Sequence, residues 1–135
     1  MAAHRETRIQ ALAEFRYTLR RFMHFSEEAA VAAGLTPQQH QLLLQVAGAP
    51  SGALTTVGYL AERLSLRHHS VVELGDRCEE AGLLVRRRGP DDRRMVVLEL
   101  TAAGARILDD LSADHTRELK ELGPQLVRTL RAFTE

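Results

Sequence analysis

The stretch from Leu54 to Thr101 limits the possible folds of this chain more than any other, because it joins two short helical patterns to a β-hairpin pattern. In the first helix one apolar stripe recurs at intervals of three and four residues: Val57, Leu60, Ala61 and Leu64. Thr55 or Thr56 is available as its N-cap. The positions from Ser65 to Arg67 then interrupt the pattern, which predicts a short turn.

A second helix is predicted from about His68 to Ala81, and Gly82 offers the left-handed position that ends such a helix. Its buried face carries Val71, Leu74 and Cys78, and its other face carries His69, Ser70, Glu73 and Arg77. Two helices joined by a turn of about three residues are typical of the helix-turn-helix, whose second helix enters the major groove of DNA. A generic helical hairpin is the alternative.

The next segment favours the DNA-binding alternative. Two β-rich runs, Leu83 to Arg88 and Arg94 to Leu100, are joined by the turn residues Gly89, Pro90, Asp91 and Asp92. Around the turn, within residues 86–94, five arginines against two aspartates give a local charge of +3, in a chain whose formal net charge is zero. The sequence therefore predicts a positively charged wing after the two helices.

The run from Ala61 to Gly104 resembles the MarR family of bacterial winged helix-turn-helix transcription regulators. The resemblance is carried by Glu80-Ala81-Gly82-Leu83-Leu84 leading into arginine, by Asp92-Arg93-Arg94, and by Leu100-Thr101 followed by Gly104. It implies a homodimer that binds double-stranded DNA. It also implies a small ligand, often aromatic, that binds between the dimerisation helices and the DNA-reading lobes.

Nine residues are predicted to contact DNA: Arg67, His68, His69, Ser70, Glu73, Arg77, Arg88, Arg93 and Arg94. The resemblance implies that Asp92 and Arg94 brace the wing, which leaves Arg93 free to enter the minor groove. The chain departs from the family pattern at Arg67, at Cys78 and at Glu73, which puts an anion on the face expected to meet DNA. Because Glu73 precedes Arg77 by four residues, an intrahelical ion pair is expected to hold that charge aside.

Long amphipathic helices are predicted on both sides of this segment, over about 5–33 and 102–134, the first ended by Gly34. Their stripes are too large for the middle of the chain to cover, although packing on the chain's own core is the alternative. We predict a dimer interface formed by Leu12, Phe15, Leu19, Phe22, Leu119, Leu126, Leu130 and Phe133. Thr101 can cap the C-terminal segment, and Gly123-Pro124 is expected to break it into two helices.

Between the N-terminal helix and the winged helix, the sequence predicts a helix that starts with a capping box formed by Thr36, Pro37 and Gln39. Residues 48–54 are interpreted as a connector. The chain of 135 residues is therefore interpreted as a single domain, 1–135, with its DNA-binding winged helix at about 54–101. The predicted fold class is mainly α with a small β-hairpin wing, flanked by N- and C-terminal dimerisation helices.

Composition excludes several other functions. With 4% aromatic residues and no tryptophan, the chain lacks the rings that a stacking platform for single-stranded nucleic acid needs. Zero net charge argues against a protein that packages DNA independently of its sequence.

The chain shows no signal-peptide or membrane-spanning pattern, so the cytoplasm is expected. One cysteine permits no intrachain disulfide, and the six histidines lack metal-ligand spacing, although folding could bring His24, His40 or His115 together.

No catalytic triad or phosphate-binding loop is visible, so the chain is predicted not to be an enzyme, and no cofactor is expected beyond an unidentified effector. We interpret it as a ligand-responsive homodimeric repressor that binds specific DNA sequences. Two alternatives stay open. One is a winged-helix module that binds proteins without binding DNA, and the other is a metal- or redox-responsive sensor.

Overall fold

The computed structural model describes residues 2–134 of the chain, and the side chains of residues 6–134. In chain order the elements are α1 (Ala2–Ala32), α2 (Pro37–Ala47), α3 (Val57–Leu64), α4 (His68–Glu80), β1 (Leu84–Arg88), β2 (Val96–Leu100) and α5 (Ala102–Thr134). Five helices and one antiparallel hairpin confirm the predicted fold class, a winged helix-turn-helix between long terminal helices.

The described chain forms two units, one of residues 2–29 with 112–134 and one of residues 30–111. The terminal unit is an α-helical pair, and the other unit contains the whole winged helix. That the full range 1–135 behaves as one domain stays a prediction, and residues 1 and 135 lie outside the described residues. The winged-helix unit has a core of apolar side chains, including Leu42, Leu43, Leu60, Val71, Leu84 and Leu98.

Local chemistry fixes the helix starts in the winged-helix unit. At α2 the Thr36 hydroxyl accepts a hydrogen bond from the backbone N–H of Gln39 at 3.1 Å, and the Gln39 side chain accepts from the backbone N–H of Thr36 at 2.9 Å. This reciprocal capping box, with Pro37 following the cap, confirms the prediction. At α3 the cap is Thr56, whose hydroxyl accepts from Tyr59 N–H at 3.1 Å.

Thr55, the other possible cap, has a different role. Its hydroxyl donates to the backbone oxygen of Leu98 at 2.6 Å, and its own carbonyl accepts from Leu98 N–H at 3.0 Å. Thr56 forms a β-bridge with Val97. The chain entering α3 is therefore hydrogen-bonded to the outer edge of β2, and this ties the wing to the helix-turn-helix.

The strands are shorter than predicted. β1 begins at Leu84 because Leu83 N–H still donates to the carbonyl of Cys78 in the turn that ends α4, where Gly82 has the expected positive φ of 75°. β2 begins at Val96 because Met95 closes the loop: its N–H donates to Asp92 O at 3.1 Å, and its carbonyl accepts from Gly89 N–H at 2.8 Å. The register pairs Leu84 with Leu100 and Arg88 with Val96.

The prediction of a break at Gly123-Pro124 is wrong, since α5 runs unbroken from Ala102 to Thr134 with Pro124 inside it. A proline within a helix removes one backbone hydrogen bond and crowds the preceding turn, at a cost of about 3 kcal/mol. Leu122 and Thr129, one on each side of Pro124, are both buried. Burial on both sides favours a continuous helix over a break that would displace one of them.

The other helix ends are close to the predictions. α1 begins at Ala2 rather than near Arg5 and ends at Ala32 rather than Ala33, followed by Gly34 with a φ of 86°. The predicted cap of α5 is confirmed, because the Thr101 hydroxyl accepts from Gly104 N–H at 3.0 Å. No helix within residues 2–134 is both long and apolar enough to cross a bilayer.

Candidate nucleic-acid interface

The orientation of α4, the second helix of the helix-turn-helix, is set by its buried face. Val71 and Cys78 are fully buried and Leu74 nearly so. At Gly75 a Cβ atom would lie 3.4 Å from the Leu98 side chain, so the helix backbone packs close to β2. Because this face is held against the core, the opposite face of α4 is directed to solvent.

The solvent face of α4 carries most of the residues predicted to contact DNA. His68, His69, Glu73 and Arg77 are exposed, as is Arg67 in the preceding turn, and Ser70 is half-buried. Arg67 is the N-cap residue of α4 but forms no side-chain capping hydrogen bond. The first backbone N–H groups of the helix therefore lack a protein cap there, and the dipole leaves partial positive charge at this end.

The carboxylates of α4 differ in whether they are bonded to other parts of the chain. The expected pair between Glu73 and Arg77 is not formed among residues 2–134. Asp76 instead forms an ion pair with the guanidinium of Arg86 on β1. Glu79 accepts a hydrogen bond from the backbone N–H of Arg86 at 3.1 Å. These tertiary contacts fasten α4 to the wing and leave Glu73 facing solvent.

The wing loop is folded around Asp92. Its carboxylate Oδ1 accepts from the backbone N–H of Arg94 at 2.9 Å and lies 3.4 Å from the Arg94 Nε. The Arg94 side chain is nonetheless 93% exposed, so the backbone contact is the firmer of the two. Arg88 donates to the backbone oxygen of Arg93 at 3.2 Å. The side chain of Arg93 has no hydrogen bond or ion pair within the described part of the chain.

The residues predicted for the dimer interface fall into two groups. Four side chains are 40–50% exposed, which is high for large apolar groups: Leu12, Leu119, Leu130 and Phe133. The other four are half-buried within their own chain: Phe15, Leu19, Phe22 and Leu126. Phe22, for example, packs edge-on against His115 with ring centroids 5.8 Å apart. The terminal unit thus has an apolar face that its own helices do not cover.

Cys78, His24 and His115, the residues that could take part in metal or redox chemistry, are each buried or paired with another side chain. Cys78 is buried, and this burial raises the pKa of its thiol to about 11; the reactive thiolate is therefore disfavoured. His115 Nε2 lies 2.8 Å from the Ser26 hydroxyl, and exposed His24 pairs with Glu28 at 3.0 Å. Among the described side chains, which do not include His4, no group of three histidine, cysteine or acidic residues could hold a metal ion.

A pocket of about 600 Å³ lies between α4, the start of α3 and the wing. Its walls are mainly apolar, with Val71, Val72, Met95 and Val96 among them, and its lining also includes the charged side chains of Arg86, Asp92 and Arg94. The volume falls within the range typical of small-molecule sites. It adjoins the same helix and loop that carry the predicted DNA contacts.

Comparison with known proteins agrees with this geometry. A sequence model described as the MarR family matches residues 33–95, which include α2, α3, α4, β1 and the wing loop but not β2. The HTH-type transcriptional regulator YcgE of Bacillus subtilis (strain 168) is 36% identical to this chain, over 80% of this chain and 75% of YcgE. The chain belongs to the MarR family.

Two further comparisons show the extent of the similarity. The HTH-type transcriptional regulator MhqR, also of Bacillus subtilis (strain 168), is 28% identical over 66% of this chain, and the match spans 59% of MhqR. The crystal structure of the MarR family transcription regulator SP03579 superposes with a TM-score of 0.78 at 23% identity, covering 92% of this chain and 80% of that one. The relatives are named as regulators, not enzymes.

Three features of this MarR winged helix are not apparent from the sequence. Arg86 was counted only as part of the basic run, yet it joins β1 to α4 through Asp76 and Glu79. The sequence indicates Thr55 only as a possible cap, whereas its hydroxyl is bonded to Leu98, and no sequence pattern marks the pocket beside Val72. The signal available for Arg86 was its register: it faces the same side of β1 as Leu84, two residues earlier, on the strand that follows α4.

Proposed function

We propose that this protein is a homodimeric transcription regulator that binds specific sequences of double-stranded DNA and acts as a repressor. One observation carries the proposal: the solvent face of α4 and the arginine-rich wing loop belong to the same unit, in a chain with zero net charge. Positive charge concentrated beside a helix-turn-helix, without general basicity, suits site-specific recognition better than non-specific binding.

In the proposed complex the N-terminal part of α4 lies in the major groove. His68, His69 and Ser70 are at the end of the helix that normally reaches base edges, with Arg67, Glu73 and Arg77 beside them. The wing supplies Arg88, Arg93 and Arg94 to the backbone and the adjacent minor groove. In this arrangement α4 provides sequence selection, and the wing provides affinity and register.

The uncovered apolar face of the terminal unit supports the homodimer. We expect sedimentation at micromolar concentration to give twice the chain mass of 15.1 kDa, because each Å² of apolar surface left exposed forgoes about 25 cal/mol. Leu12→Glu should shift the protein toward monomer. Leu44→Glu, at a similarly exposed leucine of α2, is the matched control and should remain dimeric. A wild-type protein that sediments at 15.1 kDa would contradict the prediction.

The function is tested by footprinting and gel shifts on the DNA upstream of the protein's own gene, since such regulators often control neighbouring genes. A two-fold dimer presents two α4 helices about one DNA turn apart. We therefore expect an inverted repeat with half-site centres about 10 to 11 base pairs apart. A protected region without dyad symmetry, or no protection there or on selected DNA, would count against the proposal.

We further propose that a small aromatic molecule regulates DNA binding. The pocket beside α4 supports this response, because its apolar walls suit an aromatic ring and the exposed Arg94 among its lining residues suits a carboxylate. A ligand there would contact the helix and the loop whose spacing DNA binding requires. Gel shifts repeated with small aromatic acids would identify the effector. As a bacterial DNA-binding regulator the protein would act in the cytoplasm.

The second candidate function is a protein-interaction module. It is favoured by the carboxylates of Glu73, Glu79 and Glu80, which are exposed on α4 and which phosphates would repel. The two functions differ in their dependence on DNA sequence and salt. An interaction module would not select an inverted repeat from random DNA.

A further inference from the structure

We propose that Glu73 reads a cytosine in each half-site, by accepting a hydrogen bond from the exocyclic N4 amino group of that base. The inference rests on the proposed function and specifies which base α4 selects. Glu73 is the residue that fits worst with a generic basic DNA-binding surface. Its position, its lack of partners and its chemistry each contribute one step.

The first step is position. Burial of Val71 and Cys78, and the close approach of Gly75 to Leu98, fix the rotation of α4 about its own axis. At about 100° per residue, Glu73 lies about 200° from Val71 and so projects away from the core. It shares this outer face with His69, one turn nearer the N-terminus. Any DNA that meets His69 in the major groove therefore also meets Glu73.

The second step is the absence of an internal partner. Asp76 and Glu79 are occupied by the side chain and the backbone of Arg86. Among the described side chains, those of residues 6–134, Glu73 and Glu80 have neither a hydrogen bond nor an ion pair. Glu80 lies about two turns further along, at the end of α4 that recognition helices hold away from the bases. Glu73 is thus the carboxylate available to the groove.

The third step is chemistry. An ionised carboxylate only accepts hydrogen bonds, and the major groove offers donors at two places, cytosine N4 and adenine N6. Adenine presents the N7 acceptor beside its donor, which repels a carboxylate, whereas cytosine presents its amino group alone. Phosphate repulsion is offset by Arg77, four residues after Glu73. Cytosine is therefore the base that this side chain can pair with.

The experiment selects binding sites from random duplex DNA with the full-length protein, for the wild type and three variants. We expect the wild type to select an inverted repeat with cytosine at one position of each half-site. Glu73→Ala should lose the preference at that position and keep the others. Glu73→Gln should change it to adenine, because glutamine both donates and accepts. Glu80→Ala, at the exposed carboxylate two turns away, should select the wild-type site.

A second measurement removes the amino group from the DNA. Replacing that cytosine by 2-pyrimidinone, which lacks N4, should weaken wild-type binding roughly 10-fold and change the binding of Glu73→Ala little. Equal losses for both proteins, or a selected repeat without the cytosine, would overturn the inference while leaving the proposed function intact. Failure to select any sequence would overturn both. Circular dichroism checks that the exposed substitutions leave the fold unchanged.

Discussion

Gly104→Ala is expected to lower the free energy of unfolding by about 3 kcal/mol, which is at the upper end of the usual cost of overpacking. A Cβ atom at this position would overlap the backbone oxygen of Leu83 and lie 3.1 Å from its carbonyl carbon. That oxygen also accepts a hydrogen bond from Thr101 N–H at 3.1 Å. The backbone at Leu83 and the backbone at Gly104 cannot move apart without weakening this hydrogen bond, which lies at the junction between β2 and α5.

Urea denaturation followed by circular dichroism measures the change. The matched control is Gly58→Ala in the first turn of α3, in the same unit, where the nearest atom to a new Cβ is the Thr56 hydroxyl oxygen at 4.0 Å. There the gain in helix propensity should stabilise the protein by about 0.5 to 1 kcal/mol. If the two variants unfold at the same urea concentration, the contact between Gly104 and Leu83 is not close.

Asp92→Ala and Arg93→Ala are expected to weaken DNA binding by different routes. Removing the Asp92 carboxylate takes away the acceptor of the Arg94 backbone N–H, so the loop loses its ordered form and its arginines lose their fixed positions. Arg93→Ala leaves this hydrogen bond in place. It should weaken binding across many DNA sequences and lower the salt slope by about one unit for each lost phosphate contact.

Two further variants separate these routes. Asp92→Asn keeps an oxygen acceptor and should bind DNA nearly as the wild type does, whereas Asp92→Ala should not. Arg94→Ala keeps the backbone N–H that Asp92 holds, so it should act mainly through lost charge. Filter binding over a range of salt concentrations measures the DNA affinity and its salt slope, and nuclear magnetic resonance of the loop amides measures the order of the loop. Unchanged affinity and salt slope in Arg93→Ala and Arg94→Ala alike would mean that the wing does not touch DNA, and would favour the interaction module.

Much of the winged helix was predictable because its determinants are close together in the chain. Thr36, Pro37 and Gln39 contain within four positions every group that the capping box of α2 needs. Gly82 supplies the positive φ after α4 by itself, and the period of Val71, Leu74 and Cys78 identifies the buried face. Of the residues predicted to contact DNA, His69, Glu73 and Arg77 lie on the exposed face of α4 where that period places them, and the roles of the whole set stay predictions for the experiments above.

The electrostatic partners of α4 were not predictable in the same way. From the sequence, Arg77 is a suitable partner for Glu73, since a four-residue spacing brings side chains together on any helix. Such pairs contribute only about 0.2 to 0.5 kcal/mol, so any arrangement of neighbouring elements can override them. In the structure the strand after α4 brings Arg86 against Asp76 and Glu79 instead.

The sequence by itself determined where the helices of the winged-helix unit start, which face of α4 is buried and where the positive charge of the wing lies, since each depends on a few neighbouring residues. Tertiary structure decided that α5 continues through Pro124 and that Thr55 is bonded to β2 rather than capping α3. It also decided that Glu73 has no partner within the part of the chain that the structure describes. The physical reason is that the free energy of a local conformational preference amounts to a few kcal/mol at most. The free energy gained by burying side chains such as Leu122, and by contacts between segments 43 residues apart, is of equal or greater size.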